Sequence, residues 1–183
     1  MEIYEAIEKR RTIQKYQGVA TEEQLKRIIT AATKSPSGQN HQNWEFVIVD
    51  DQTLIDKVSE IKYLLNRGKP WGEEVSQEQE AAAQKQKDSF ANASLVMVFH
   101  NSKLADAAGV WCCIENMLLA AVAEGLGTRI ARFKGDSVKE INRLMNAPEG
   151  VDLVAAISVG VPAEVPKPRS LKPDGSCLHR NSF

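Results

Sequence analysis

Apolar residues recur along the chain at two spacings, and the switches between them mark out the elements. Ile3, Ala6 and Ile7 share one face of a short helix predicted over residues 2–11. Thr21 with Gln24 three residues on forms a capping box, opening a second helix through Leu25, Ile28, Ile29 and Ala32 to about Lys34. SPSGQNHQN, 35–43, stops that helix, because Pro36 and Gly38 break helices and Ser and Asn favour turns. WEFVIVD, 44–50, is a β-branched and aromatic strand, and LIDKVSEIKYLL, 54–65, returns to helical spacing. After the loop NRGKPWGEE, a second capping box, Ser76 with Gln79, opens a polar helix over 77–91. SLVMVFH, 94–100, is a nearly continuous apolar strand.

LADAAGVWCCIENMLLAAVAEGLG, 104–127, is the longest helical pattern and is apolar around much of its circumference. Such a helix belongs at the centre of the fold or at a subunit interface. Gly125 and Gly127 end it, TRIARF, 128–133, reads as a strand, and Ser137 with Glu140 caps a helix reaching about Met145. DLVAAISVG, 152–160, is a last buried strand. Beyond Gly160 the chain carries four prolines in VPAEVPKPRSLKPDGSCLHRNSF and reads as an extended tail. Strands separated by helices point to a layered α/β arrangement, with no hairpin turn signals.

At 183 residues the chain fits one domain able to bury roughly 70% of its unfolded surface. With 23 basic and 24 acidic residues the net charge is −1, so no global field attracts nucleic acid or anionic lipid, and any anion site is local. The cysteines Cys112, Cys113 and Cys177 form neither a disulfide framework nor metal-ligand spacing, and the first two read as core side chains. MEIYEAIEKRR lacks the apolar core of a signal peptide, and no apolar run reaches the roughly 18 residues that span a bilayer. A reducing, cytoplasmic setting is the expectation.

Four stretches hold candidate chemistry. In KRRTIQKYQ an extended chain after Arg11 places Arg10, Thr12 and Gln14 on one side, a row of hydrogen-bond donors with a guanidinium suited to phosphate. The same cations also simply complement a helix C-terminus, and the residues alone leave both readings open. PSGQN, 36–40, offers amides and a hydroxyl before a strand but lacks the Gly-Lys-Ser/Thr of a phosphate loop. GLGTR follows a helix, so it fails the dinucleotide fingerprint. In the tail, Lys167 and Arg169 stand two apart on one side of an extended segment, able either to complete an anion site or to stay solvated. His41, His100 and His179 have no partners at metal spacing, and no nucleophile elbow is present.

Taken in order, RRTIQKY, PSGQNHQNW leading into a strand, a long apolar helix ending AEGLGTR, and GVPAEVPKPR resemble the FMN-dependent nitroreductase family over nearly the whole chain. The resemblance implies an α+β fold with a mainly antiparallel central sheet flanked by helices, in an intertwined homodimer with two FMN sites at its interface. It implies one domain over 1–160 and a tail, 161–183, that reaches the partner subunit. Carried over residue by residue, Arg10 and Thr12 with Lys167 and Arg169 match phosphate-holding positions, Arg11 joins the cofactor-site candidates although an extended chain would point it away, and Gln14 lies near the pyrimidine edge of the flavin. Pro36, Ser37, Gly38 and Asn40 match a loop approaching the ring and ribityl chain from the other subunit. Lys134 and Gly135 match a pair whose backbone amides face N5 and O4, and Gln86 matches a ribityl or ring contact. Three residues depart from the pattern: Gln14 stands where Lys or Arg is common, Lys134 where an acid is frequent, and Asn43 where QPW has proline. Losing a cation beside N1 stabilises the anionic reduced flavin less.

The implied activity is reduction of nitroaromatics, quinones or similar electron-poor acceptors by NADH or NADPH through FMN in two half-reactions, with no side chain as obligatory acid or base. The competing expectation is a flavin-binding or flavin-handling protein on the same fold without nicotinamide turnover.

Overall fold

A computed structural model describes every residue except Lys167, Arg169 and Asp174. Six helices, α1 (Ile3–Lys9), α2 (Glu22–Ala32), α3 (Gln52–Arg67), α4 (Gln77–Asp88), α5 (Ala108–Ala123) and α6 (Asp136–Leu144), surround five strands. The strands are β1 (Tyr16–Val19), β2 (Trp44–Val49), β3 (Ser94–Asn101), β4 (Gly127–Ala131) and β5 (Val151–Pro162). They form one sheet in which β5 pairs antiparallel with β1, β3 and β4, while β2 pairs antiparallel with β3. The α+β, mainly antiparallel reading is borne out. Among the described residues no helix is long and apolar enough to cross a membrane.

Strand β3 explains why SLVMVFH is continuously apolar: both of its faces are covered. Val96 and Val98 pack with Ile28 of α2 and with Cys113, Ile114 and Met117 of α5, while Leu95, Met97 and Phe99 pack with Val58 and Ile61 of α3 and Ile141 of α6. Strand β5 switches faces midway. Its pairing with β3 skips Val154 between Leu153 and Ala155, so Leu153 joins the α3/α6 side while Val154 and Ala155 both turn to the α2/α5 side.

Both capping boxes form, Thr21 with Gln24 and Ser76 with Gln79. Other boundaries move for identifiable reasons. Helix α1 stops at Lys9, because Arg10 turns extended at ψ 124°. Helix α5 starts at Ala108, where the Asp106 carboxylate accepts from the Ala108 amide at 2.9 Å and holds residues 104–107 outside the helix. It ends before Gly125, whose φ of 75° is left-handed. Helix α4 ends at Asp88, and β4 covers 127–131 rather than 128–133.

Ser137 is not an N-cap. Gly135, at φ 57°, opens α6 two residues earlier, and the Ser137 hydroxyl bonds back to Lys134. Strand β1 has no counterpart in the sequence reading, because only Tyr16 of YQGV is buried and one apolar residue makes no periodicity. Strand β5 runs two residues past Gly160 because Val161 and Pro162 pair with β1. Cys113 is buried but Cys112 is exposed, since adjacent helical residues point about 100° apart.

Gly160 sits where these strands crowd together, opposite both Val19 and Gly127. A methyl group added there would stand 2.5 Å from the Gly18 carbonyl oxygen, a backbone atom that has little room to yield. Gly160→Ala is therefore expected to cost about 1–3 kcal/mol, read as a lowered urea midpoint. Gly18→Ala meets Val161 only at 3.7 Å and should stay near neutral.

Candidate functional site

The RRTIQ stretch is placed by β4. Thr12 makes an isolated parallel bridge with Thr128, and the Ile13 amide donates to the Thr128 carbonyl at 3.0 Å. Gly127, lacking a side chain, is what lets Ile13 pack so close to the strand. Arg10, Arg11, Thr12 and Gln14 then line one cavity of about 540 Å³ together with Lys85 of α4 and residues 164–166 and 168. The Arg10 guanidinium reaches Glu115 of α5 at 3.6 Å, while that of Arg11 folds back onto the end of α1, donating to the carbonyls of Glu8 and Arg10. The row of donors inferred from alternation is thus brought together.

Lys85 was missed. On a polar helix one more lysine carries no signal, and only the packing of α4 turns it toward Arg10 and Arg11. Lys167 and Arg169, expected to join the same anion site, lie outside the described residues.

Behind the cavity lies a polar layer. Gln86 accepts a hydrogen bond through Oε1 from Nη2 of Arg129, on β4. Arg129 is only 5% exposed, it pairs with no carboxylate among the described residues, and its Nη1 has no acceptor. The buried Oε1 of Gln14 likewise has no donor. Tyr16 lies nearby with its hydroxyl donating to the carbonyls of Ile13 and Ser158, and burial holds its phenol well above the ordinary range.

A second basic cavity of about 440 Å³ is lined by Lys62, Asn66, Arg132, Phe133 and Lys134. Lys62 is 8% exposed, donates to the Arg132 carbonyl at 2.7 Å and lies 5.4 Å from the centre of the Phe133 ring. Burial first, then the charges of Arg129 and Lys134, pushes its ammonium down to about 8. Lys134 lines the same cavity but is exposed.

The remaining expected residues do not share the Arg10 cavity within one chain. Pro36 and Ser37 pack beside Gly109 at the start of α5, and Gly38 and Asn40 form a short 3-10 turn in which Asn40 has a left-handed φ of 57°. The backbone amides of Lys134 and Gly135, expected to act as a pair, differ in their partners. The Lys134 amide donates to the Ser137 hydroxyl at 3.1 Å, which leaves the Gly135 amide as the one without an acceptor among the described residues. Asn43, the departure from proline, is buried and donates to the carbonyls of Ala105 and Asp106 at 3.1 and 2.8 Å, tying the start of β2 to the segment before α5.

The loop between α3 and α4 is gathered by the buried Arg67. Its guanidinium donates to the carbonyls of Lys69, Pro70 and Glu73 and pairs with Glu80 at 3.0 Å. Trp71 stacks on Tyr63 at 5.0 Å, and its indole donates to Glu60, which also pairs with Lys87 at 2.5 Å. The result is an aromatic ledge held from both flanking helices.

The α+β fold agrees with what family comparison shows. The chain belongs to the Nitroreductase family, whose model matches residues 7–161. A protein of Methanothermobacter thermautotrophicus, provisionally named NADH dehydrogenase/NAD(P)H nitroreductase, is 32% identical over 180 residues, covering 93% of this chain and 83% of that one. Among solved structures, iodotyrosine deiodinase bound to FMN and 3-iodo-L-tyrosine is similar with a TM-score of 0.80 at 25% identity over 100% of both chains. NADPH:FMN oxidoreductase from Vibrio harveyi shares the fold at a TM-score of 0.78 and 19% identity, covering 99% of this chain and 77% of that one.

The depressed Lys62 ammonium makes stability depend on pH. Between about 8 and the ordinary 10.5 the unfolded chain binds more protons than the folded one, so stability rises with pH across that window. Lys62→Met removes the penalty while keeping an apolar stem. Without added ligand the variant should be more stable than the parent at pH 7, by about 1–2 kcal/mol after loss of the bond to Arg132. That advantage should fade by pH 10.5, as compared in urea titrations at the two pH values.

Proposed function

We propose that this chain is an FMN-dependent NAD(P)H oxidoreductase that reduces nitroaromatics, quinones or similar electron-poor acceptors as a cytoplasmic homodimer. The observation that carries the reading is the cavity in which Arg10, Arg11, Thr12, Gln14 and Lys85 converge in a member of this family. Its donor set suits FMN: three cations and a hydroxyl for a phosphate dianion, and beside them buried polar atoms of Gln14 and Arg129 left without partners. The relative named as an NAD(P)H nitroreductase and the similar FMN-bound structure support it.

In this reading Arg10, Arg11, Thr12 and Lys85 hold the phosphate, with Lys167 and Arg169 joining from the tail, residues 161–183, that follows the single domain of residues 1–160. Gln14 and Gln86 offer amides toward the ring and ribityl chain, and Gly135 presents a free backbone amide. Pro36, Ser37, Gly38 and Asn40 serve the site of the other subunit. FMN, when bound, supplies the hydride chemistry, while the chain orients the reactants and excludes water. The dimer is supported by apolar surface that one chain leaves bare: Ile3 and Ile7 on α1 are 55% and 44% exposed beside α5, which itself exposes Trp111.

A second acceptor class is favoured by the full-length likeness to a deiodinase holding 3-iodo-L-tyrosine, together with the Tyr63–Trp71 ledge. Reductive dehalogenation there would replace a carbon–iodine bond by carbon–hydrogen, with two electrons from reduced flavin, a proton from solvent and release of iodide.

Purified protein supplied with FMN is expected to turn yellow and to bleach under NADH or NADPH without oxygen. A yellow protein that neither nucleotide bleaches would instead be a flavin-handling protein, and one that takes up no FMN would end the reading. Iodide release from 3-iodotyrosine, set against turnover of a nitroaromatic and a quinone, decides between acceptors. Arg10→Ala should weaken FMN binding by about 1.5–3 kcal/mol, the worth of a charge-assisted bond, measured by flavin fluorescence quenching.

A further inference from the structure

Arg129 is a buried cation that nothing in the fold explains. It is 5% exposed, and among the described residues its Nη1 has no acceptor and the ionisable groups facing it are another cation, Lys62, and a phenol, Tyr16, that burial keeps neutral. A buried charge without a counter-charge is costly, and a second cation beside it adds to the cost. The chain has no general surplus of positive charge, its net charge being −1, so this concentration is local.

Its position ties it to the cleft from two sides. Thr128, the residue before it, bridges to Thr12, and its partner Gln86 follows Lys85, so Arg129 is linked through both neighbours to residues that line the Arg10 cavity. The hydrogen bond to Gln86 also has a fixed sense. A guanidinium can only donate, so the glutamine must turn Oε1 to Arg129, and its Nε2, which has no acceptor among the described residues, remains as a donor for a ligand. Gln14, beside them, carries no charge.

We propose that Arg129 is the counter-charge for the reduced flavin in this chain, a positioning residue that acts by fixing the Gln86 amide and by placing positive charge behind the ring. The assignment rests on the FMN reading above. Hydride uptake adds two electrons and one proton to the flavin and leaves it one unit more negative, so a fixed cation in a dry setting favours the reduced form over the oxidised one. It supplies from β4 the charge that Gln14 does not.

The test is a comparison of parent, Arg129→Lys and Arg129→Met proteins by anaerobic titration with oxidised and with reduced FMN and by potentiometry. Arg129→Met is expected to leave the affinity for oxidised FMN unchanged and to bind reduced FMN about tenfold more weakly, which lowers the two-electron midpoint potential by about 30 mV. Arg129→Lys should restore part of the difference, and Gln14→Lys added to Arg129→Met should restore it from the other strand. Equal weakening of both redox forms, or no change in either, would overturn the assignment while leaving the cofactor reading intact. A parent protein that takes up no FMN would overturn both. Because Arg129→Met removes an unpaired buried charge, its melting temperature without flavin should not fall, and a marked fall would mean that Arg129 is part of the scaffold only.

Discussion

Strand β5 is the element on which three separate stretches of chain must agree. It binds β3 through Val159, takes β1 from Gly160 onward, and holds β4 along its length from Ala156 to Gly160. Backbone can converge this tightly only where side chains are missing, and Gly127 and Gly160 are the residues at the meeting point, where an added methyl would run into Ile13 and the Gly18 carbonyl oxygen. The site inherits its geometry from this convergence. Thr12 and Ile13 run beside Thr128 because β4 is fixed on β5, and Tyr16 closes the same corner from the other side. A cleft built this way is as rigid as the sheet itself, although its cationic residues come from a helix end and a short connecting segment.

Charge is distributed along that cleft in sequence. Arg10, Arg11 and Lys85 gather at one end, Arg129 donates to Gln86, and Lys62 and Lys134 line the second cavity. At the first end carboxylates are close by, with Glu115 and Glu8 near Arg10 and Arg11. Lys62 and Arg129 pair with none among the described residues, and burial rather than pairing governs their behaviour.

The helices and the two long strands were legible because each carries its own local signal: capping boxes at Thr21 and Ser76, unbroken apolar runs in β3 and β5, and glycine at the end of α5. Strand β1 was not, since Gln17 and Val19 face solvent and the strand exists only because β5 offers it an edge. The same limit applies to the site. Arg10, Thr12 and Gln14 follow from alternation in one extended segment, and the family resemblance supplies their purpose. Lys85 and Arg129 come from elements 40 or more residues apart, and their convergence is a product of packing that no spacing encodes. Ser137 shows the opposite error: a plausible cap by composition, displaced because Gly135 can adopt a turn that other residues resist.

The loop between α3 and α4 owes its shape to one side chain. With Arg67 holding three of its carbonyls and Trp71 resting on Tyr63, residues 68–76 are fastened to the helical pair rather than to the sheet. Its sequence is thereby released from the demands of the core. Insertions, deletions or exchanged side chains in this stretch can remodel the ledge while the β5-centred sheet keeps its form. Variation there would be confined to a detachable module, inherited and altered on its own terms.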